Sequence, residues 1–125
     1  MSTLVLDSDA VNTLMKMSDV ISVVEEALRT WGEGKGNMPA KVYLPVERGD
    51  FRAMPAALPG CAGMKWVNAH PQNPSRNLPS VMAIMIYNDS ETGYPLAIMD
   101  ATEITAYRTG AAAAIASKYL ARQNS

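Results

Sequence analysis

Apolar positions recur in two rhythms along the 125 residues, and the change between them divides the chain. Leu4, Val5 and Leu6 form a short apolar run read as a strand. Asp7 or Ser8 is placed to cap a brief helix through Met15, with Val11, Leu14 and Met15 as its apolar face. Ser18 is the expected cap of a second helix running to about Gly32. Along it Val20, Val24, Ala27, Leu28 and Trp31 fall at helical spacing, while Glu25, Glu26 and Arg29 face away. Gly32, Gly34 and Gly36 end it. This glycine run follows a helix and lacks the strand–glycine–helix order of a phosphate loop, so it reads as a stop and a flexible link.

From Lys41 to Asp100 the rhythm shortens to two. Strands are expected over 41–44 (ended by Pro45), 51–54, 62–69, 81–87 and 95–99. Turns fall at Glu47-Arg48-Gly49-Asp50 and over 88–93, and a loop stiffened by Pro71, Pro74 and Pro79 separates two of the strands. The run over 81–87 is apolar on both sides, the mark of a central strand. Asp100-Ala101-Thr102-Glu103 then has the spacing of a capping box and opens an alanine-rich helix to about Arg122. Ile104, Ala111, Ile115 and Leu120 are its packing residues, and Thr105, Arg108 and Thr109 share one face. The order of elements predicts a single α+β domain. It has N-terminal helices, a central sheet that is mostly antiparallel or mixed, and a long C-terminal helix rich in alanine.

The strand over 62–69 carries the chemistry. Alternation places Gly63, Lys65 and Val67 on one face and Met64, Trp66 and Asn68 on the other. Lys65 is thus a charge inside an apolar strand, where desolvation lowers its pKa unless an anion pairs with it. Arg52 and Arg108 also lie within or beside apolar segments, and Lys41 is a fourth such cation. Converging cations make an anion site; arginine's planar fork matches a carboxylate, and a lysine of depressed pKa exchanges protons near neutrality. The competing expectation is a set of separate salt bridges with some of the 12 carboxylates.

Composition narrows the classes further. A net charge of −1 lacks the basic excess of a nucleic-acid module. Cys61 is the sole cysteine, so no disulfide framework or cysteine zinc site is expected, which suits a reducing cytoplasm. No apolar run reaches the roughly 18–20 residues that span a membrane, and the first residues lack a signal pattern. His70, the lone histidine, stands before Pro71 and reads as a loop residue holding a backbone carbonyl, so no metal is expected. No serine sits in a Gly-x-Ser-x-Gly elbow, and Asp89 and Glu91 read as solvated turn residues. Nine methionines against one phenylalanine read as fillers of an irregular core.

Several segments come in a characteristic order: Gly63-Met64-Lys65-Trp66-Val67-Asn68-Ala69-His70-Pro71, Leu78-Pro79-Ser80-Val81-Met82-Ala83, Thr92-Gly93-Tyr94-Pro95-Leu96-Ala97, Met99-Asp100-Ala101-Thr102 and Arg108-Thr109-Gly110-Ala111-Ala112. Together they resemble the ornithine cyclodeaminase/mu-crystallin family. Met38-Pro39-Ala40-Lys41-Val42-Tyr43-Leu44 and Gly49-Asp50-Phe51-Arg52-Ala53-Met54-Pro55-Ala56 look most like its archaeal alanine dehydrogenase branch. Two positions depart from the pattern. Asn77 stands where glycine is frequent, a place that asparagine's tolerance of left-handed backbone can fill, and Ser80 stands where threonine is frequent.

The resemblance implies a substrate-binding and dimerisation domain over 1–125, forming a homodimer. It implies that Arg52 and Arg108 meet the carboxylate of a small amino acid or oxo acid, that Lys65 lies near the reacting carbon, and that Lys41 is a further member. The implied activity is NAD(P)-dependent oxidative deamination of L-alanine to pyruvate and ammonia. Its alternatives are cyclising deamination of ornithine to proline and non-catalytic binding of a small molecule as in mu-crystallin. The family's NAD(P) site is a second, Rossmann domain. No Gly-x-Gly-x-x-Gly occurs within these residues, so the expectation is that they neither bind the dinucleotide nor oxidise alanine alone.

Overall fold

The computed structural model describes residues 1–124. Its strands are β1 (Leu4–Leu6), β2 (Val42–Val46), β3 (Gly49–Leu58), β4 (Cys61–Ala69), β5 (Ala83–Asp89) and β6 (Pro95–Asp100); its helices are α1 (Ser8–Leu14), α2 (Met17–Gly32) and α3 (Thr102–Leu120). The strands make one sheet in the order β1-β6-β5-β4-β3-β2. Only β1 with β6 is parallel, so the sheet is mixed and otherwise antiparallel. α2 and α3 pack against each other and against the sheet, and α1 packs beside β6. The core is Val67, Ala83 and Ala101, with Met54, Met85 and Ile104 against it.

Asp7 caps α1 as expected, its Oδ1 accepting from the Ala10 N–H at 2.9 Å. Of that helix's proposed apolar face only Val11 is buried; Leu14 is exposed and Met15 lies past the helix end. α2 begins one residue before Ser18, because the Asp19 and Val20 N–H groups bond to the Lys16 carbonyl, making Lys16 the cap position. Glu25 does not face away. It accepts from Lys118 Nζ at 3.0 Å and from the Tyr119 hydroxyl, joining α2 to α3. In α3 the capping box is incomplete: Ala101 holds the cap position, while Asp100 Oδ1 accepts from the Thr102 N–H at 3.0 Å. Leu120 points to solvent instead of packing.

Three strand boundaries differ from the pattern. Pro45 lies within β2, not after it, because β2 is an edge strand whose outer side needs no donor. β3 continues through Pro55, since β2 pairs no further than Ala53 and leaves that side of β3 open. β5 starts at Ala83 rather than Val81. Ahead of it, Asn68 takes both Met82 backbone groups, the Met82 N–H at 2.7 Å on its side chain and the carbonyl at 3.0 Å on its N–H. The polar turn after β5 is built on Asp89, which accepts from the Glu91 and Thr92 N–H groups. Asn77 is left-handed, with φ 58° and ψ 33°, as its substitution for glycine implies.

Cross-strand register gives the sheet two unlike faces. Arg52, Met54, Lys65, Val67, Ala83 and Met85 share the face beneath the helices. Val42, Leu44, Phe51, Trp66, Ile84 and Ile98 share the other, which no helix covers, and Ile84 is 52% exposed there. At Gly63 the chains approach closely: a Cβ would stand 2.7 Å from the Ile86 carbonyl oxygen. Gly63→Ala is expected to cost ~1–3 kcal/mol through this overpacking, read as a lower denaturant midpoint at unchanged slope.

Candidate active site

Lys65 is the centre of the covered face. Its direct partners across β3 and β5 are Met54 and Met85, so the lysine stem runs between two flexible apolar side chains. α3 lays Ile104, Thr105 and Arg108 above them, and α2 brings Leu28 and Trp31. Lys41, just before β2, completes one cavity of about 650 Å³. The structure therefore brings together three of the four cations picked out in the sequence. Thr109 is not with them; its hydroxyl donates to the Thr105 carbonyl at 2.8 Å.

The cations differ in exposure. Lys65 is 8% exposed, whereas Lys41 and Arg108 are exposed. Among the described residues no Asp or Glu pairs with Lys65, Lys41 or Arg108, and no carboxylate lines the cavity. Burial therefore goes uncompensated and, with Arg108 and then Lys41 repelling the ammonium, lowers the Lys65 pKa to about 8. Such an amine is mostly charged at neutrality yet gives up a proton readily, and an entering anion would offset its cost.

Arg52 lies on the same face, two register pairs from Lys65, but does not line the cavity. Its Nε and Nη2 donate to Asp50 at 2.8 and 3.1 Å, and its guanidinium lies 5.1 Å from the Tyr43 ring centre. Lys41 approaches the same ring at 5.3 Å. The sequence reading passed over Asp50, although its i, i+2 spacing from Arg52 puts both on one face. The role of Asn68 was also missed, and its signal was a polar residue inside an apolar strand. Its side-chain N–H₂ contacts His70 Nδ1 at 2.7 Å, so the imidazole is held by this amide and not by a backbone carbonyl. Asn68 and His70 line a second cavity of about 410 Å³ on the uncovered face, with Phe51 stacked on Trp66. Among the described residues no cluster of His, Cys, Asp or Glu is arranged for a metal, and no helix is long and apolar enough to cross a membrane.

A mixed sheet under helices, with a buried, carboxylate-free lysine and two exposed cations around one apolar cavity, defines an α+β domain with uncompensated positive charge on its covered face. The chain belongs to the ornithine cyclodeaminase/mu-crystallin family, whose profile matches residues 1–125. It is 58% identical to an alanine dehydrogenase of Archaeoglobus fulgidus over all of its length and 39% of that relative's. Its fold matches that of an archaeal alanine dehydrogenase dimer with bound NAD at a TM-score of 0.96 and 58% identity, covering 39% of that chain. It also matches a Δ1-pyrroline-2-carboxylate reductase of Thermococcus litoralis, solved with NADH and L-proline, at 0.95 and 40% identity; 98% of this chain and 39% of the other are covered. The chain thus spans about two fifths of the length of these relatives.

NAD is bound in the first of those structures and NADH in the second, and the glycine-rich strand–helix turn that holds a dinucleotide pyrophosphate can be looked for among the residues described here. β1 passes to α1 through Asp7 and β6 to α3 through Ala101, neither turn containing glycine.

The Lys65 pKa has a consequence for stability. Its folded value, about 8, lies below its ordinary 10.5, so between those values the unfolded chain binds more protons. Stability contributed at this site therefore rises with pH across that window and is lower below it, by an amount on the order of 3 kcal/mol. Denaturant titrations at pH 7 and pH 10 should show this gain in the wild type and lose it in Lys65→Met.

Proposed function

We propose that these residues are the substrate-binding and dimerisation part of an NAD(P)-dependent amino acid dehydrogenase converting L-alanine to pyruvate and ammonia in the cytoplasm. The observation that carries this is Lys65: a buried amine of lowered pKa, facing a cavity with two further cations and no carboxylate. In this reading Arg108 and Lys41 draw the substrate carboxylate in by charge. Arg52 adds its Nη1 edge, the one not engaged by Asp50. Lys65 then accepts or returns a proton at the substrate's nitrogen or at the water that replaces it. The absence of a lining carboxylate favours alanine over ornithine, whose second ammonium would find no partner.

The nicotinamide supplies the hydride chemistry when bound, and its pyrophosphate would be held by other parts of the whole protein. Support for a homodimer comes from the uncovered apolar face and from the relative solved as a dimer. We place the contact on the strip formed by Leu44, Phe51, Trp66 and Ile84.

Three substitutions in the whole protein test the site. Lys65→Met should lower kcat about 10²–10⁴-fold, the usual range for acid–base assistance. Arg108→Lys and Arg52→Lys keep charge but lose the fork, so KM for alanine should rise, roughly 10- to 100-fold for Arg108. Near-silent kinetics in all three would remove these cations from the reaction. For the dimer, Ile84→Glu should shift the sedimenting mass toward the monomer at micromolar concentration; an unchanged mass would move the contact elsewhere.

A further inference from the structure

The cavity is much longer than alanine needs. Along β3 its floor extends from Met54, opposite Lys65, to Leu58, a span of roughly 13 Å at the rise of a strand. The far end is lined by Leu58, Trp31 and the Asn37–Met38 segment, which an isolated bridge from Asn37 to Ala57 ties to the sheet. Gly36 fixes this end: a Cβ there would stand 3.0 Å from Leu58 Cδ2 and 3.3 Å from Trp31 Cδ1. All the charge lies at the other end, and between the two the lining is apolar, with Leu28 and Met85 among its residues. Its volume of about 650 Å³ is in the range of sites that enclose ligands far larger than pyruvate.

We infer that the trough between α2 and β3 is a side-chain subsite, and that the site takes, besides alanine and pyruvate, L-amino acids and 2-oxo acids with aliphatic side chains of several carbons. The inference rests on the dehydrogenase reading for where the carboxylate sits and extends it to the rest of the substrate. Charge complementarity selects the occupant's orientation. A carboxylate belongs at Lys65, Arg108 and Lys41, which leaves the tail to run toward Trp31. A second ammonium has no anion to meet anywhere along the lining. Leu28 and Trp31 are 45% and 50% exposed beside the trough, apolar area that an aliphatic tail would cover.

Calorimetry on the whole protein tests this without turnover, using pyruvate, 2-oxobutanoate, 2-oxopentanoate and 2-oxohexanoate. Each added methylene should tighten Kd roughly fourfold while the trough fills. Leu28→Asp, which puts a carboxylate into the trough, should flatten that rise, and Leu28→Ala should reduce it if the aspartate does not fold. L-Ornithine should bind more weakly than L-norvaline, which differs by lacking the terminal ammonium. Pyruvate binding with no gain along the series would overturn the subsite alone and leave the trough as a packing surface for other parts of the protein. Tighter binding of ornithine than of norvaline would also overturn it. Failure of every oxo acid to bind, pyruvate included, would overturn the dehydrogenase reading with it.

Discussion

An ammonium group held in an apolar layer without a counter-ion is the constraint from which the rest of this structure follows. Lys65 sits on the middle of the sheet between Met54 and Met85, and no carboxylate among the described residues approaches it. A well-packed core at that point would leave the charge stranded, at a cost of several kcal/mol. The structure meets the constraint in two ways. The proton is held more loosely, and the helices stand off the sheet to leave a cavity into which the amine opens. The site is thus a local relaxation of packing around one charge.

How the helices can be close at one place and distant at another is a matter of side-chain size. Over β5 and β6 the interface is built of Ala83, Ala97 and Ala101, and Ala111 within α3 is fully buried. Small side chains let α3 settle onto this half of the sheet, fixing the start of the helix through the Ala101 N–H to Ala83 carbonyl bond at 2.8 Å. Arg108 follows two turns later with its position determined by that seat. Over β3 the facing residues are Met54 and Leu58, with Leu28 and Trp31 above them, and the layers part. A tight half carries the geometry and a loose half carries the space. The Glu25 bridge to Lys118 and Tyr119 then spans both helices at the far end of α3.

Much of this was legible from residue order, because it depends on local periodicity. The alternation that put Lys65 opposite Trp66 is a property of any strand, and it gave the buried cation before any pairing was known. The left-handed Asn77 and the Asp7 cap follow from side-chain chemistry within a few residues. The features that were misread depend on partners distant in the chain. Pro45 ends a strand only if both edges must pair, and at an edge they need not. Glu25 belongs to a polar face until Tyr119, ninety-four positions on, is set against it. Whether Arg52 is free or paired could be read from its spacing to Asp50, yet the separation of Arg52 from the cavity required the full register of β3. Lys41, read as the first residue of a strand, reached the site from just before β2. The cavity is a distance between layers, and no sequence rhythm records that.

The unequal exposure of the three cations also assigns them unequal work. Arg108 and Lys41 are exposed to solvent, which hydrates their charge. Their effect on Lys65 is to repel, which together with burial lowers its proton affinity. A carboxylate bound as proposed would reverse the sign of that balance: among the three charges it would neutralise the repulsion and supply the counter-ion that Lys65 lacks. Its arrival must then raise the lysine's pKa, so that near pH 8 anion binding and proton uptake occur together. The same arrangement that makes the empty site costly thus makes the occupied one both tighter and more fully protonated. Departure of the anion would loosen the proton again. A chain with a fourth, acidic residue beside Lys65 would gain stability when empty and lose this coupling, because the counter-ion would already be in place.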